Sequence, residues 1–384
     1  MRKLPKINTI VIKIGSSIIA GKDKIDKDFL SKLASVISEI RLDIKNIVIV
    51  SSGAVAAGFK LLGFKSKPKD IADKQACAAV GQAKLIQYYE DAFKKYNLIV
   101  GQILIVKDDF SNRKRYLNAR TTIKRLLDMG VVPIINENDT VAVHELKYVE
   151  TFGDNDNLSA LVSGLLGADM LLILSDVDGL FDKNPLTYPD ATLIKEVKFL
   201  NEDILDVAGE SVSGVGTGGM KTKLVAARKA LDSGCYVGII NGKDPENVKR
   251  FLGGEEIGTF FSHVEDVKDK KKFWIAYAAT PKGEIVVDSG AVRALSEMNG
   301  SLLPSGILDV SGKFGVGDVV KVVDIYGVEI ARGKTRYSSS DVKKIKGVKS
   351  DMIDQILGFK IGDEVIHKDD LVLSKKKGGI CGIV

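Results

Sequence analysis

Ile47-Val48-Ile49-Val50-Ser51-Ser52-Gly53 is the stretch on which the reading of the fold turns. Four apolar β-branched residues in a row suit a strand buried on both faces, as in a parallel sheet with helices above and below it. The serines and the glycine that follow mark the end of the strand. The same order of events recurs on either side. Ile10-Val11-Ile12 reads as a strand ending at Gly15, and residues 99–106, 131–135, 170–174 and 236–240 read as further strands. Residues 28–40, 75–96, 116–129, 157–166 and 221–233 have helical spacing. Strands alternating with amphipathic helices predict an α/β fold, a three-layer αβα sandwich around a mostly parallel sheet. Ligands of such sheets sit beyond the carboxyl ends of the strands, so polar and glycine motifs are expected directly after the apolar runs.

The character changes at residues 264–272, a charged segment with three consecutive lysines that reads as a linker. Shorter strand-like runs at 284–287, 319–323 and 328–331 follow, separated by glycine turns, and predict a small β-rich second domain. The partition is a first domain over 1–265, a linker over 266–279, a second domain over 280–367 and a polar tail over 368–384. At 384 residues the chain is long enough for two or three domains and a sizeable core. The net charge of +6 comes from interspersed charges and does not call for nucleic acid. Cys77, Cys235 and Cys381 are far apart and make neither a CxxC pair nor a metal spacing, which fits a reducing compartment such as the cytoplasm. The first eight residues lack an apolar core, so no signal peptide is expected, and no apolar run reaches the ~20 residues of a membrane helix.

The polar motifs fall where the fold rule asks. Lys13, near the end of the first strand and followed by Gly15 and Ser16, can reach a phosphate, and a buried strand is a costly place for an idle lysine. The bland alternative is a surface lysine at a strand end. Ser51 to Gly58 combines serines with small residues that let a ligand approach the backbone, or make only a tight strand–helix turn. Asn136-Glu137-Asn138-Asp139-Thr140 and Gly153-Asp154-Asn155-Asp156-Asn157 are denser in carboxylates and amides than turns or caps require. An ammonium group needs such acceptors, and a nucleotide-bound magnesium ion needs nearby carboxylates. Ser175-Asp176-Val177-Asp178-Gly179 is a β-turn or a nucleotide-facing loop; a calcium loop is rejected because its closing glutamate is missing. The sharpest motif is Gly214-Val215-Gly216-Thr217-Gly218-Gly219-Met220-Lys221-Thr222-Lys223, a glycine loop opening a helix, with Lys223 one turn in and able to lean back over the loop. It fails as a dinucleotide fingerprint for want of a strand before it, and as a Walker A loop because Met220 intervenes; a plain glycine hinge is the alternative.

Taken in order, these motifs resemble the amino-acid kinase family, and within it the branch that phosphorylates glutamate. Besides those quoted, the likeness is carried by Lys74-Gln75, Ala79-Val80-Gly81-Gln82, Leu117-Asn118-Ala119-Arg120 and Pro133 to Thr140. Residues 283–288, 301–306 and 315–320 resemble a PUA module, a small β-rich barrel that elsewhere binds RNA, although residues 281–337 show no basic–aromatic stripe. The resemblance implies transfer of the γ-phosphoryl group of ATP, with Mg2+, onto the side-chain carboxylate of L-glutamate, giving L-glutamyl 5-phosphate, the first step of proline synthesis. It implies that Lys13, Lys223 and Asp156 are catalytic, with Asp156 holding the lysines. Ser52, Asp139 and Asn155 would bind glutamate. Lys13, Ser175, Asp176, Thr217, Gly218, Gly219, Met220, Lys221, Thr222 and Lys223 would bind ATP, with no metal ligand assigned. Proline as feedback inhibitor, a glutamyl phosphate reductase as partner, and a homodimer or homotetramer are implied as well. The stretch 144–152 is longer than the family's usual connection and bears on proline recognition. The alternatives are an amino-acid kinase for aspartate, acetylglutamate or carbamate, and an RNA-binding protein with a vestigial kinase fold.

Overall fold

The computed structural model describes residues 1–21, 24–142, 155–198, 200, 219–262 and 269–374. Thr217, Gly218, residues 143–154 and 211–216, and the last ten residues of the chain therefore lie outside the described residues. The chain divides into two compact units, Met1–Val267 and Lys268–Val384.

In the first unit, β1 (Thr9–Ile14), β2 (Asn46–Ser51), β3 (Val100–Ile105), β4 (Val132–Glu137) and β5 (Met170–Ser175) are joined by β6 (Glu196–Val197), β7 (Tyr236–Asn241) and β8 (Thr259–Phe261). They form one eight-stranded sheet in the order β3-β4-β2-β1-β5-β7-β8-β6. Every neighbouring pair is parallel except β7–β8, so the expected mostly parallel sheet is present. The register places Lys13 between Val50 and Ile173, deep in the sheet, which rules out the surface-lysine reading. The carboxyl ends of β1, β2, β4, β5 and β7 lie side by side, and every described polar motif sits on that edge.

Helices cover the sheet. α1 (Ser16–Ile19) is a single turn. α2 (Lys27–Ile40) starts where Asp26 accepts from the amides of Asp28 and Phe29, and buries Phe29, Leu30, Leu33, Ala34, Val36, Ile37 and Ile40 in one stripe. Each large apolar side chain buried this way contributes about 1.5–3 kcal/mol. α3 (Ala54–Gly58) crosses α4 (Ile71–Lys94) at very short range. A Cβ on Gly58 would lie 2.0 Å from the carbonyl oxygen of Cys77, and one on Gly81 would lie 1.9 Å from that of Ala54. No other residue fits either place. α4 begins four residues earlier than its apolar spacing predicts, because the Asp70 carboxylate caps the amide of Asp73. α5 (Lys107–Ser111), α6 (Arg113–Asp128), α7 (Asn155–Leu166), α8 (Met220–Asp232) and α9 (Glu246–Leu252) complete the layers.

The second unit opens with α10 (Lys270–Phe273) and a π-helical turn (Trp274–Ala278). Its sheet has the order β10-β9-β11-β12-β13, built from β9 (Gly283–Val287), β10 (Ile307–Gly312), β11 (Val319–Val323), β12 (Glu329–Lys334) and β13 (Leu371–Leu373). Leu371–Leu373 lies within the stretch read as tail and pairs with β12. Three helices, α11 (Ser289–Glu297), α12 (Ser339–Ile345) and α13 (Ile353–Leu357), belong to this unit and were not anticipated from the sequence. Its core is apolar around the fully buried Tyr337, whose hydroxyl donates to the carbonyl of Gly362 at 2.6 Å.

Candidate functional site

Three charged side chains from three elements meet above the carboxyl edge of the large sheet. Lys13 from β1 is 6% exposed, Lys223 from the first turn of α8 is 7% exposed, and Asp156, the second residue of α7, has no exposure at all. Burying one such group alone is prohibitive, so the three must stand together. One carboxylate oxygen of Asp156 forms a close ion pair with Lys13 Nζ. The other lies 3.7 Å from Lys223 Nζ and accepts from the Thr222 hydroxyl at 3.0 Å. Burial by itself would raise the Asp156 carboxyl, but Lys13, Lys223 and the Thr222 hydroxyl outweigh it and hold the group below the ordinary carboxylate range. Among the described residues, the two ammonium groups share this one carboxylate. Asp156 is not a helix cap: it lies inside α7 and its side chain is spent on the lysines.

The cluster stands at the start of α8, an end of a helix that favours negative charge. Gly219 precedes the helix in an extended conformation, and among the described residues a Cβ there would meet nothing within 4 Å. Met220 and Thr222 are half-buried and Lys221 is exposed. The arrangement suits an anion with several oxygens, held by lysines and main-chain amides. On the neighbouring strand end, Ser175 is buried at the close of β5, with its hydroxyl 3.3 Å from the carboxylate of Asp176. The loop beyond is tied down by Thr259 of β8, a fully buried residue. Thr259 Oγ1 donates to the carbonyl of Ile194 at 2.6 Å and accepts from the amide of Leu180 at 2.8 Å. Asp178 accepts from Asn241 Nδ2 at the end of β7.

A second group of side chains forms beyond β2 and β4. The amide nitrogen of Asn155 lies 2.7 Å from the Ser52 hydroxyl, 3.0 Å from the main-chain carbonyl of Ser51 and 3.1 Å from Asn136 Oδ1. Asn136 in turn donates to Gln82 Oε1 at 2.9 Å. Tyr89, fully buried on α4, donates to the Ser51 hydroxyl at 2.8 Å, and burial pushes its phenol further up. Glu137 is buried at the end of β4. Loss of water and then the neighbouring Asp139 raise its carboxyl from 4.5 to about 7. Asp139 itself is half-buried, three residues beyond Asn136. The structure thus brings Lys13, Asp156, Thr222 and Lys223 into one group and Ser52, Asn136 and Asn155 into another, with Asn155 and Asp156 adjacent on α7 joining the two. Among the described residues, no group of three or more His, Cys, Asp or Glu stands close enough to hold a metal ion.

Gln82, Tyr89 and Thr259 were assigned no role from the sequence. For the first two a signal existed: both are polar groups on the stripe of α4 that otherwise carries Cys77, Ala78, Leu85 and Phe93 to the core. Thr259 carried none, since a three-residue strand has no usable period.

Comparison with known proteins identifies the family. The sequence profile of the Amino acid kinase family matches residues 8–241, and that of the PUA domain matches residues 283–357. The chain is 49% identical over 376 residues to the glutamate 5-kinase of Citrifermentans bemidjiense, covering 97% of this chain and all of that protein. It is 46% identical over 371 residues to the glutamate 5-kinase of Geobacter sulfurreducens, covering 96% and 98%. It is 46% identical over 374 residues to that of Caldanaerobacter subterraneus subsp. tengcongensis, covering 96% and 100%. The likeness runs through both units, and on this ground the chain belongs to the amino acid kinase family, in the branch that carries a C-terminal PUA domain.

Proposed function

We propose that the protein transfers the γ-phosphoryl group of ATP to the side-chain carboxylate of L-glutamate, giving ADP and L-glutamyl 5-phosphate. The observation that carries this reading is the convergence of Lys13 and Lys223 on one fully buried carboxylate, Asp156, at the start of α8. The names of the relatives supply the acceptor.

In this reading a carboxylate oxygen of glutamate forms a bond to the γ-phosphorus as the bond to the bridging oxygen of ADP breaks, and ADP keeps the electron pair. The acceptor is already ionised near neutral pH, so no general base is required. What the protein must supply is alignment and positive charge where the phosphoryl oxygens gather it. Lys13 and Lys223 provide the charge from opposite sides, and Asp156 fixes both ammonium groups before substrate arrives. Ser52, Asn155 and Asp139 bind glutamate. Ser175, Asp176 and the segment from Thr217 to Lys223 bind the nucleotide. Mg2+ would spread the charge of the triphosphate. Among the described residues no three His, Cys, Asp or Glu side chains cluster about a metal, and no protein ligand is assigned to the ion.

Proline as an inhibitor at the glutamate site, consumption of the labile acyl phosphate by a reductase, a homodimer or homotetramer, and a cytoplasmic location belong to the same proposal. Among the described residues, no helix is long and apolar enough to cross a membrane. The test is ADP release by purified protein with Mg·ATP, with and without glutamate, beside aspartate and acetylglutamate. Glutamate-dependent release that falls at least about a hundredfold in Lys223→Ala is expected. Turnover with another acceptor would replace the substrate and keep the phosphate clamp. Silence with every acceptor would overturn the reading and direct the next assay, RNA binding, to the PUA domain.

A further inference from the structure

Thr222 brings a hydroxyl into the lysine cluster. Its Oγ1 stands 3.0 Å from a carboxylate oxygen of Asp156 and 2.9 Å from the main-chain carbonyl of Gly219. Neither neighbour has a proton to give. A main-chain carbonyl only accepts, and the Asp156 carboxyl is ionised: burial opposes this, but Lys13, Lys223 and the Thr222 hydroxyl together hold it below its ordinary range. The proton in both contacts is therefore that of Thr222. The carbonyl of Gly219, at the position before α8, is the usual acceptor for the first main-chain amide of a helix. The buried carboxylate gains more from the hydroxyl, since a hydrogen bond to a charged acceptor is roughly twice as strong as a neutral one. Lys223 follows Thr222 on the first turn of α8 and approaches the same carboxylate oxygen, but stops at 3.7 Å, beyond hydrogen-bond length. The other oxygen is engaged by Lys13.

We propose that Thr222 is a positioning residue of the phosphate clamp and not a nucleotide ligand: its hydroxyl holds the Asp156 oxygen nearest Lys223, so that the Lys223 ammonium is directed at the phosphoryl group in transit and is not drawn onto Asp156. This rests on the phosphoryl-transfer reading above, and it sets Thr222 apart within the segment given there to the nucleotide. A neutral donor serves the oxygen without cancelling its charge against a lysine. An ammonium in the same place would complete a salt bridge and spend positive charge that the transfer requires. Without the hydroxyl the buried carboxylate loses a donor, and the nearest replacement is Lys223, which has only to close the remaining gap. The loss then falls on the chemical step and not on nucleotide binding, because the clamp acts where charge gathers in the transition state.

The experiment uses the full chain as wild type, Thr222→Val and Thr222→Ser, and measures kcat together with the KM for ATP and for L-glutamate. Valine keeps the branched shape and removes the hydroxyl. Thr222→Val is expected to lower kcat about ten- to a hundredfold, the scale of one hydrogen bond to a buried charge. Both KM values should stay within about threefold of wild type, the pattern of an interaction that matters only in the transition state. Thr222→Ser, which keeps the donor, should recover most of the lost kcat. An unchanged kcat in Thr222→Val overturns the proposal. A loss that appears mainly as a raised KM for ATP overturns it too, and returns Thr222 to the nucleotide ligands. A Thr222→Ser as slow as Thr222→Val also overturns it, since packing of the methyl group would then be what matters. If Thr222→Val does not fold, Thr222→Ala is read by the same criteria. A wild-type protein without glutamate-dependent turnover overturns the underlying reading and this proposal with it. A glutamate-active wild type with kcat unmoved in Thr222→Val overturns this proposal alone.

Discussion

Replacing Glu137 by glutamine tests the electrostatics of the site edge without touching the lysine clamp. The carboxyl is buried at the end of β4 and raised from 4.5 to about 7, first by loss of water and second by Asp139. In the unfolded chain it titrates at its ordinary value. Between pH 4.5 and about 7 the folded protein therefore holds a proton that the unfolded chain has released, and stability falls as pH rises through that window. Below the window both states are protonated, and above it both are ionised and the difference is constant. At about 1.36 kcal/mol per pH unit the ceiling is about 3 kcal/mol, and residual contact with water brings the working figure to about 1–2 kcal/mol. Glutamine carries no charge at any pH. The stability of Glu137→Gln relative to wild type should therefore climb by about 1–2 kcal/mol from pH 4.5 to 7 and then level off. Any hydrogen bond lost with the substitution shifts the whole curve without changing its shape. Urea unfolding across pH 4.5 to 8.5, followed by circular dichroism, gives the curve. The single tryptophan, Trp274, lies in the other unit, and its fluorescence is an internal control that should not respond. Parallel curves for the two proteins, or a difference that grows toward low pH, would refute the reasoning.

Asp156→Asn should both abolish turnover and destabilise the first unit, because two buried ammonium groups lose their only described carboxylate; breaking such a cluster costs about 3–5 kcal/mol, readable as a lower urea midpoint. Gly81→Ala sets a methyl group 1.9 Å from the carbonyl oxygen of Ala54 and should lower the thermal midpoint by several degrees or more, corresponding to about 2–4 kcal/mol, while an alanine at Gly219, whose Cβ would meet no described atom within 4 Å, should leave it nearly unmoved.

The apolar runs of the first unit were legible because strands buried on both faces must be apolar throughout. The structure adds only a residue or two to each of β1, β2 and β5. Lys13 was legible as a costly guest of a buried strand, Lys223 from the glycine loop before its helix, and Asp156 from a cluster denser in carboxylates and amides than a cap requires, and the family resemblance implied their roles. That they meet came from the resemblance alone, since Lys13, Asp156 and Lys223 are brought together by sheet order and not by sequence spacing. Gln82 belongs to one of the motifs that carry the resemblance, but an amide on a helix says nothing of its partner until the opposing strand is known. The helix Ser289–Glu297 was missed although Asp288 caps it, since the short strands and glycine turns around it set the expected pattern for the whole unit.

The central place of β1 has a consequence for how the chain comes into being. Of the described strands of this sheet it is the earliest to leave the ribosome, and β2 follows within a few dozen residues to cover one side. Its other side waits for β5, and the amide of Thr9 waits for Asp169, 160 residues further on. At roughly 5–20 residues per second, that leaves an apolar strand edge bare for about 8–30 s of synthesis. A nascent chain with such an edge is open to pairing with its neighbours on the same message, so yield in a cell should depend on chaperone supply more than the stability of the finished sheet would suggest.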